Sequence, residues 1–514
     1  MMDEIISINP ATLEVIGRTP VTTPAKVKEY VAEARASQPV WGRMGFRERG
    51  KYLLRAREYL LKNIDSIAHT ITLDNGKPLA ESLTAEIYPV AHLLYHFAHD
   101  AEKALGSHGL PIGIMRMLMR RSRITYKPVG VVGIISPWNY PFSIAAGEVA
   151  MALVCGNAVL LKPSSATALV GSAIEEMFAA AGIPPGVFRH IPGDSSTGRA
   201  LIEAHIDKIA FTGSVAAGRD VMRSAADHLT PLVLELGGKD PMIVRADADF
   251  DQATSGAVWG AFTNAGQCCA SVERCYVHES IFDEFVEFAV RKALALKIGN
   301  GLDPDVDVGP ITTSAQLEHV EAHVLDARAR GATIHCGGER LRDRMGYFFP
   351  PTIITGVDHS YQCVRDETFG PLLPIMPFSD DRQAILLANE SAYGLTASIW
   401  TRDLKTGERM ARELSCGTVT INDCVFTHAL PQTPWGGVKQ SGFGRTHGRF
   451  GLHEFTQVHH VHTNRLKHKD IWWYGYDIGF YRKFTDLTRR LTGGILSQIS
   501  ALPTFLKLWK SRRQ

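Results

Sequence analysis

Short apolar runs alternate with longer amphipathic segments across residues 129–236, and this alternation is the clearest pattern in the chain. Short apolar runs are typical of buried strands and the segments between them of helices, so the stretch predicts βαβ units and a parallel sheet with helices on both faces. Doubly wound sheets of this kind bind nucleotides beyond the carboxyl ends of their strands. The predicted strands are VGVVGIIS (129–136), AVLLK (158–162), VFRHI (187–191), KIAFT (208–212) and PLVLEL (231–236).

Helical and α/β patterns flank this central stretch. Residues 25–105 are predicted to be mainly helical, and a second α/β pattern runs from about Gly237 to about Lys439. Segment 454–462 alternates like an edge strand. The second pattern contains predicted helices at 281–296 and 313–330 and predicted strands at 372–378 and 418–422.

Residues 466–514 combine an aromatic cluster, a periodic apolar stripe and many basic side chains. The stripe predicts a helix that Gly493-Gly494 and Pro503 bend or split, and its composition favours peripheral contact with a membrane surface. The alternative is a helix packed on its own body or on a neighbouring subunit. The longest uncharged run, Leu491–Leu506, has 16 residues and is too short and too polar to span a bilayer. The stripe consists of Phe480, Phe484, Leu487, Leu491, Ile495, Ile499, Leu502, Phe505 and Trp509.

The distribution of charge separates this tail from the rest of the chain. The whole chain of 514 residues has a formal net charge of +2. Residues 465–514 hold 11 basic and 3 acidic residues, so the rest of the chain holds 44 basic and 50 acidic residues. No nucleic-acid-binding motif accompanies the basic tail, so we expect no nucleic-acid partner.

The length predicts two or three domains. Acidic residues near the N-terminus, and eight cysteines without the spacing of a zinc site or a disulfide framework, indicate a cytoplasmic protein without a metal.

Three polar residues follow predicted strands or turns and could carry chemistry. Cys269 lies in FTNAGQCCAS, Glu235 ends a strand before two glycines, and Asn139 lies between two prolines in SPWNYPF. A thiol, a carboxylate and an amide can act as nucleophile, base and oxyanion donor. Each also has an ordinary structural interpretation, because most cysteines are inert and buried, and glutamate and asparagine are common in loops and turns.

Seven segments together resemble the aldehyde dehydrogenase superfamily over about residues 5–465. The resemblance implies that Cys269 attacks the aldehyde, that the Asn139 amide and the Cys269 backbone N–H hold the oxyanion, and that Glu235 activates the water that releases a free acid. It also implies a homo-oligomer, either dimer or tetramer. The segments are SPWNYPF, AVLLKPSS, IAFTGSVAAG, LELGGKDP, FTNAGQCCAS, ETFGP and PWGGVKQSGFGR.

The same resemblance implies a site for NAD or NADP. Gly213 and Ser214, in a glycine-rich turn that also includes Gly218, would lie beside the pyrophosphate. Glu367 and Phe369 would contact the nicotinamide riboside, and Lys162 would bind the adenosine ribose. Many NAD-preferring members have a glutamate where this chain has Ser165, and a serine does not repel a 2′-phosphate. NADP is therefore expected to be accepted, with the preference open. The other residues assigned to this site are Trp138, Ser164 and Leu236.

The resemblance also completes the predicted organisation: an α/β protein with a doubly wound, parallel-sheet dinucleotide-binding domain (1–105 and 128–236), a second α/β catalytic domain (237–440), a small β oligomerisation arm (106–127 and 441–465) and the basic tail (466–514). The Met- and Arg-rich segment 110–123 of the arm is expected to contact another subunit or a membrane.

The substrate is only partly indicated by the sequence. Small residues at 145–147 after Ile144, with Phe426 and Trp435 opposite, suggest room for a long or bulky aldehyde, or else simply close helix packing. A semialdehyde dehydrogenase, an acylating member or an inactive relative acting as a scaffold are the alternatives, and Glu235 argues against acylation.

Overall fold

The computed structural model describes residues 4–112, 120–465, 470 and 472–511. Half of segment 110–123, namely residues 113–119, lies outside the described residues. So do residues 466–469 and 471 at the start of the tail and the side chain of Trp509. The strands are β1 (Glu4–Ile8), β2 (Val15–Pro20), β3 (His108–Gly109), β4 (Arg120–Pro128), β5 (Val131–Ile135), β6 (Ala158–Lys162), β7 (Phe188–His190), β8 (Lys208–Thr212), β9 (Leu232–Glu235), β10 (Asp240–Val244), β11 (Val272–His278), β12 (Thr333–Cys336), β13 (Thr352–Thr355), β14 (Leu372–Phe378), β15 (Thr396–Trp400), β16 (Thr418–Ile421), β17 (Gly442–Phe443) and β18 (Thr456–Asn464).

Helices occupy most of the sequence between these strands. They are α1 (Pro24–Arg43), α2 (Phe46–Lys62), α3 (Ile64–Asn75), α4 (Leu79–Glu81), α5 (Tyr88–Leu105), α6 (Ser143–Val154), α7 (Ala168–Ala180), α8 (Ser195–Glu203), α9 (Val215–Ala226), α10 (Phe250–Phe262), α11 (Phe282–Ala295), α12 (Ser314–Ala329), α13 (Gln362–Arg365), α14 (Asp381–Asn389), α15 (Leu404–Ala411), α16 (Gly448–Glu454), α17 (Ile478–Leu491) and α18 (Ile495–Ser511).

The first large sheet has the order β17-β9-β8-β5-β6-β7, and its strands are parallel except for β17. The chain runs outward from β5 to β7 and then returns to β8 on the other side of β5, so the strand order reverses between β5 and β8. In open sheets the crevice at such a reversal is the usual ligand site. Apolar side chains of α1, α8 and α9 cover one face of the sheet. The predicted doubly wound domain is confirmed.

The second large sheet has the order β12-β13-β14-β11-β10-β15-β16 and is parallel except for β12. Separate apolar clusters cover its two faces, as expected for a buried parallel sheet. This confirms the predicted second α/β domain. A small sheet of order β18-β4-β3 supplies the predicted β arm.

The chain divides into two compact units, residues 1–105 with 127–457 and residues 106–126 with 458–514. Residues 441–457, which the sequence assigned to the arm, therefore lie in the first unit. The reason is a non-local pairing, because Gly442 and Phe443 pair with Glu235 and Leu234 at the edge of the first sheet.

In the second unit, the tail forms a helical hairpin of α17 and α18. The predicted break occurs at Gly493-Gly494, whereas Pro503 lies inside α18 without ending it. Arg120 of β4 pairs with Asp470, and its guanidinium lies 4.4 Å from the centre of the Trp472 ring. Part of the predicted apolar stripe is covered by the hairpin itself. These inward-facing residues are Phe480, Phe484, Leu487, Leu491 and Phe505, packed with Ala501, Leu508 and Trp472.

Candidate active site

The three residues predicted to carry chemistry lie around one cleft of about 590 Å³. Glu235 is the last residue of β9, Asn139 lies in the loop after β5, and Cys269 lies just before β11. Parallel strands present their carboxyl ends at one edge, which explains why Glu235 and Asn139 meet there. The structure thus brings the three residues together from segments that are far apart in the sequence.

A strained turn presents Cys269. Asn264, Ala265 and Gly266 have φ values of 50°, 53° and 72°, in the left-handed region that only glycine adopts freely. A Cβ on Gly266 would lie 2.1 Å from the carbonyl oxygen of Gly370. The Gln267 side chain donates to the Asn264 carbonyl oxygen at 2.9 Å and so closes the turn on itself. The turn is therefore rigid, as a site for a reacting sulfur requires.

The Cys269 thiol is half-buried and lies beside Cys268. The hydrogen bond with Cys268, together with burial, raises the pKa of Cys269 well above its ordinary value. The resting side chain is therefore a neutral thiol that needs a base or a nearby positive charge before it can attack a carbonyl group.

A buried ion pair holds the Asn139 loop, and no local sequence motif indicates it. Lys77 Nζ lies 2.7 Å from Glu86 and donates to the Asn139 carbonyl oxygen at 2.8 Å, and both side chains are fully buried. Glu86 in turn accepts backbone hydrogen bonds from Phe142 and Ser143 at the start of α6. The partners come from separate segments, so no spacing rule could have predicted them.

The side-chain amide of Asn139 donates one hydrogen bond to the Gln267 carbonyl oxygen at 3.0 Å. An amide nitrogen carries two hydrogens, so a second donor remains for an oxygen bound in the cleft. The hydrogen bond to Gln267 fixes the orientation of that second donor relative to Cys269.

The carboxyl group of Glu235 is buried, and neither of its oxygens has a hydrogen-bond partner among the described residues. Burial, followed by the nearby Glu148, raises its pKa well above the ordinary value. A Cβ on Gly436 would lie 2.7 Å from one of the Glu235 oxygens, so this glycine leaves space for the carboxyl group. A buried acid without partners is typical of a group that exchanges protons.

Residues predicted to bind the cofactor line the same cleft. The Ser214 side chain accepts from the Ala217 N–H at 3.2 Å and caps α9, whose N-terminus attracts anions such as a pyrophosphate. Glu367 accepts from the Gly238 N–H at 2.9 Å, and burial raises its pKa to about 8. These residues fit a dinucleotide. The predicted residues that line the cleft are Trp138, Gly213, Ser214, Leu236, Glu367 and Phe369.

The other four predicted cofactor residues lie outside the lining of this cleft. Lys162 ends β6, where burial lowers its pKa to about 8, and Ser164 and Ser165 follow in the next turn. Gly218 lies inside α9, where a Cβ would be 2.6 Å from the Leu236 side chain, so it permits close packing of helix and strand. Arg219, which no sequence motif indicates, also lines the cleft from α9.

A second cavity of about 180 Å³ begins at Cys269 and is apolar. Ile144, Phe426 and Trp435 line it, as expected, whereas residues 145–147 are buried in α6 without reaching it, which favours a packing role for them. Burial lowers the pKa of the lining residue His428 to about 4, so its ring is neutral. The other described lining residues are Thr84, Ala85, Pro89, Tyr140, Trp259, Thr263, Cys268, Ala270, Val425 and Ala429.

Comparison with known proteins places this geometry in context. The sequence model of the "Aldehyde dehydrogenase family" matches residues 2–461. The chain is 41% identical to the 4,4'-diapolycopene aldehyde oxidase of Methylomonas sp, over 94% of this chain and 90% of the relative. It is 36% identical to a probable succinate-semialdehyde dehydrogenase [NADP(+)] of Sinorhizobium fredii, over 88% and 91% of the two chains. The structure of betaine aldehyde dehydrogenase from Staphylococcus aureus in complex with NAD+ superposes with a TM-score of 0.87 at 35% identity, over 92% of this chain and 94% of that one.

Proposed function

Because the chain belongs to the aldehyde dehydrogenase family, we propose that it oxidises its aldehyde to the carboxylic acid at Cys269, with Asn139 and Glu235 as assisting groups. The observation that carries the proposal is the position of Cys269, which lines both the cofactor-sized cleft and the apolar cavity. An aldehyde that enters from the cavity would meet the sulfur directly beside the cleft.

In the first half-reaction the Cys269 thiol loses its proton to solvent. The resulting thiolate adds to the carbonyl carbon, and the electron pair of the C=O bond moves onto oxygen. The free N–H of the Asn139 amide and the Cys269 backbone N–H hold that oxygen. When bound, NAD(P) supplies a hydride acceptor and a positive charge beside the thiol. Loss of the hydride leaves an acyl group on Cys269 as a thioester.

In the second half-reaction Glu235 removes a proton from a water molecule, whose oxygen attacks the thioester carbon. Collapse of the adduct breaks the carbon–sulfur bond and releases the acid and the Cys269 thiolate. The raised pKa of Glu235 suits a base that works near neutral pH. Its presence favours the hydrolytic reaction over transfer of the acyl group to a thiol acceptor.

The test separates the two half-reactions by rapid mixing with an aldehyde and the cofactor. Wild-type protein should give a stoichiometric burst of reduced cofactor, Glu235→Gln should give the burst and then stall with an acyl group on Cys269, and Cys269→Ala should give neither. Cys416→Ala, a thiol outside both cavities, is the matched control. Turnover by Cys269→Ala would contradict the proposal.

We infer that the substrate is an uncharged, largely apolar aldehyde. The described lining of the apolar cavity contains no aspartate, glutamate, lysine or arginine, and its histidine, His428, is neutral. The Methylomonas relative is named for its action on 4,4'-diapolycopene aldehyde. In a series of straight-chain aldehydes, kcat/KM should rise with chain length. The values for the longer members should exceed the value for succinate semialdehyde at least tenfold. A preference for succinate semialdehyde would favour the semialdehyde alternative.

We infer further that both cofactors are used. Ser165 carries no charge to repel a 2′-phosphate, and Arg219 adds a positive charge to the cleft. Ser165→Glu should reduce kcat/KM for NADP about fivefold or more while leaving the value for NAD nearly unchanged, since one like charge costs about 1 kcal/mol or more at this range. An unchanged NADP value would contradict this assignment.

We propose peripheral membrane contact through the α17–α18 hairpin. Among the described residues no helix is both long and apolar enough to cross a bilayer. Exposed apolar and basic side chains together suit an anionic lipid surface. Ile478, Tyr481, Ile495, Leu496 and Ile499 are exposed on the hairpin, with Arg482, Lys483, Arg489, Lys507 and Lys510 on the same two helices.

The test is sedimentation with phosphatidylglycerol vesicles. Full-length protein should pellet with the vesicles, and Leu496→Glu/Ile499→Glu should remain in the supernatant. The exposed leucine of another helix provides a control, Leu294→Glu. Equal amounts of wild type and hairpin variant in the pellet would argue instead for a hairpin that contacts another subunit of the expected homo-oligomer.

A further inference from the structure

A second buried carboxyl group lies close to Glu235. Glu148 belongs to α6, every residue of which is buried, and its side chain reaches the same small cavity as Glu235 and Cys269. The cavity has a volume of about 20 Å³, enough for one water molecule. Thr212 donates a long hydrogen bond of 3.4 Å to one oxygen of Glu148, and the other oxygen has no partner among the described residues.

Two carboxyl groups that share a buried cavity cannot both ionise easily, because each negative charge disfavours the other. Burial raises the pKa of Glu148 to about 8, and Glu148 in turn contributes to the raised pKa of Glu235. Near neutral pH the pair therefore holds at least one proton. The groups that face the pair are the Cys269 thiol and the rings of His428 and His447, and the charges of Arg445 and Glu454 also act on Glu235.

The two histidines are poor candidates for exchanging a proton with Glu235. Burial lowers the pKa of both rings, that of His428 to about 4, so neither takes up a proton near neutral pH. The His447 ring lies 3.1 Å from the Thr446 hydroxyl, which engages one ring nitrogen. Among the described groups that line the cavity, Glu148 is therefore the one that can take up a proton from Glu235.

We propose that Glu148 is a positioning residue for the proposed hydrolysis: it accepts, through one water molecule, the proton that Glu235 must lose before it can act as a base. The transfer takes place in the singly protonated pair, in which Glu148 is the carboxylate and Glu235 the acid. The O–H bond of Glu235 breaks, an O–H bond forms on the unpartnered oxygen of Glu148, and the negative charge moves to Glu235. Glu235 then takes a proton from the water that attacks the thioester, and the pair returns one proton to solvent before the next turnover.

This inference rests on the proposed function, and the same rapid-mixing assay tests both separately. In Glu148→Gln, which keeps the size of the side chain, we expect the burst of reduced cofactor at full amplitude and a steady-state rate about 100-fold lower, the low end of the range for a lost proton-transfer group. The acyl group should accumulate on Cys269. Glu148→Asp, which restores a carboxyl group, should recover part of the rate.

A proton inventory in mixtures of H2O and D2O distinguishes proton transfer from a structural role. The steady-state rate of wild type should curve with the deuterium fraction, because more than one proton moves, whereas Glu148→Gln should give a straight line. In the variant, the pH below which the steady-state rate falls should also shift to a lower value. The reason is that removal of a like charge lowers the pKa of Glu235. An exposed glutamate outside the site gives the control Glu390→Gln.

Two outcomes overturn different claims. If wild type gives a burst and Glu148→Gln matches its steady-state rate at every pH, the role of Glu148 is wrong and the proposed function stands. If wild type itself gives neither a burst nor an acyl group on Cys269, the proposed function fails first.

Discussion

At the scale of single residues, Glu148 makes stability depend on pH in a defined direction. Its pKa is about 8 in the folded protein against an ordinary 4.5, so the folded state loses stability as pH rises from about 4.5 to about 8. We therefore expect the melting temperature of Glu148→Gln to exceed that of wild type at pH 8 and to match it at pH 4.5. Thermal unfolding at the two pH values measures this, and equal differences at both would contradict it.

The buried Lys77–Glu86 ion pair gives a second prediction at this scale. Lys77→Met leaves Glu86 as an uncompensated buried charge and removes the donor to the Asn139 carbonyl oxygen. Removal of one member of such a pair costs about 3–5 kcal/mol, so denaturant unfolding should show a loss of that size. Lys77→Met/Glu86→Gln should recover part of it. A single variant within about 1 kcal/mol of wild type would show that the pair contributes little.

At the scale of secondary structure elements, local periodicity predicted most of the chain. The strand at 208–212 and the helix at 143–154 have the bounds expected from the sequence, because apolar residues occupy most positions of each segment. Partners distant in sequence were not predictable. The periodic stripe of the tail predicted helices correctly, but it could not indicate that α17 and α18 would cover much of their apolar surface on each other.

The turn before Cys269 has a conformation that depends on a single glycine, Gly266. Gly266→Ala would place a Cβ 2.1 Å from the Gly370 carbonyl oxygen at a φ of 72°, so the turn must move. Because displacement of a reacting group by about 1 Å can cost 100-fold in rate, we expect at least that loss in kcat, measured by steady-state assay. Gly45→Ala, where the added Cβ has no neighbour within 4 Å, should keep full activity.

At the scale of the whole molecule, motifs in the sequence indicate the predicted catalytic residues, and the structure brings these residues together. The residues that support them could not be predicted from the sequence. Lys77, Glu86 and Glu148 contact the site from helices or loops whose sequences carry no distinctive motif. Their roles depend on burial and on partners many residues away, which only tertiary structure determines. Arg219 was missed for a similar reason, since an arginine on an amphipathic helix is usually a solvent-exposed residue.

Charge is unevenly distributed over the whole chain, and this makes the proposed membrane contact sensitive to salt. Residues 465–514 hold 11 basic and 3 acidic residues, while the remaining 464 residues carry an acidic excess. Attraction between basic side chains and anionic lipids acts over a Debye length that falls from about 10 Å at 0.1 M salt to about 3 Å at 1 M. The affinity for phosphatidylglycerol vesicles, measured by sedimentation, should therefore fall at least tenfold between 0.1 and 1 M NaCl. Each basic residue that contacts the lipid surface contributes about 1 kcal/mol to binding at low salt. Turnover of a short, soluble aldehyde should change much less, because the described lining of the apolar cavity beside Cys269 contains no aspartate, glutamate, lysine or arginine. Vesicle binding that is unaffected by salt would show that apolar contact alone holds the hairpin to lipid. If turnover fell as much as vesicle binding, the salt would be acting on the fold rather than on the membrane contact.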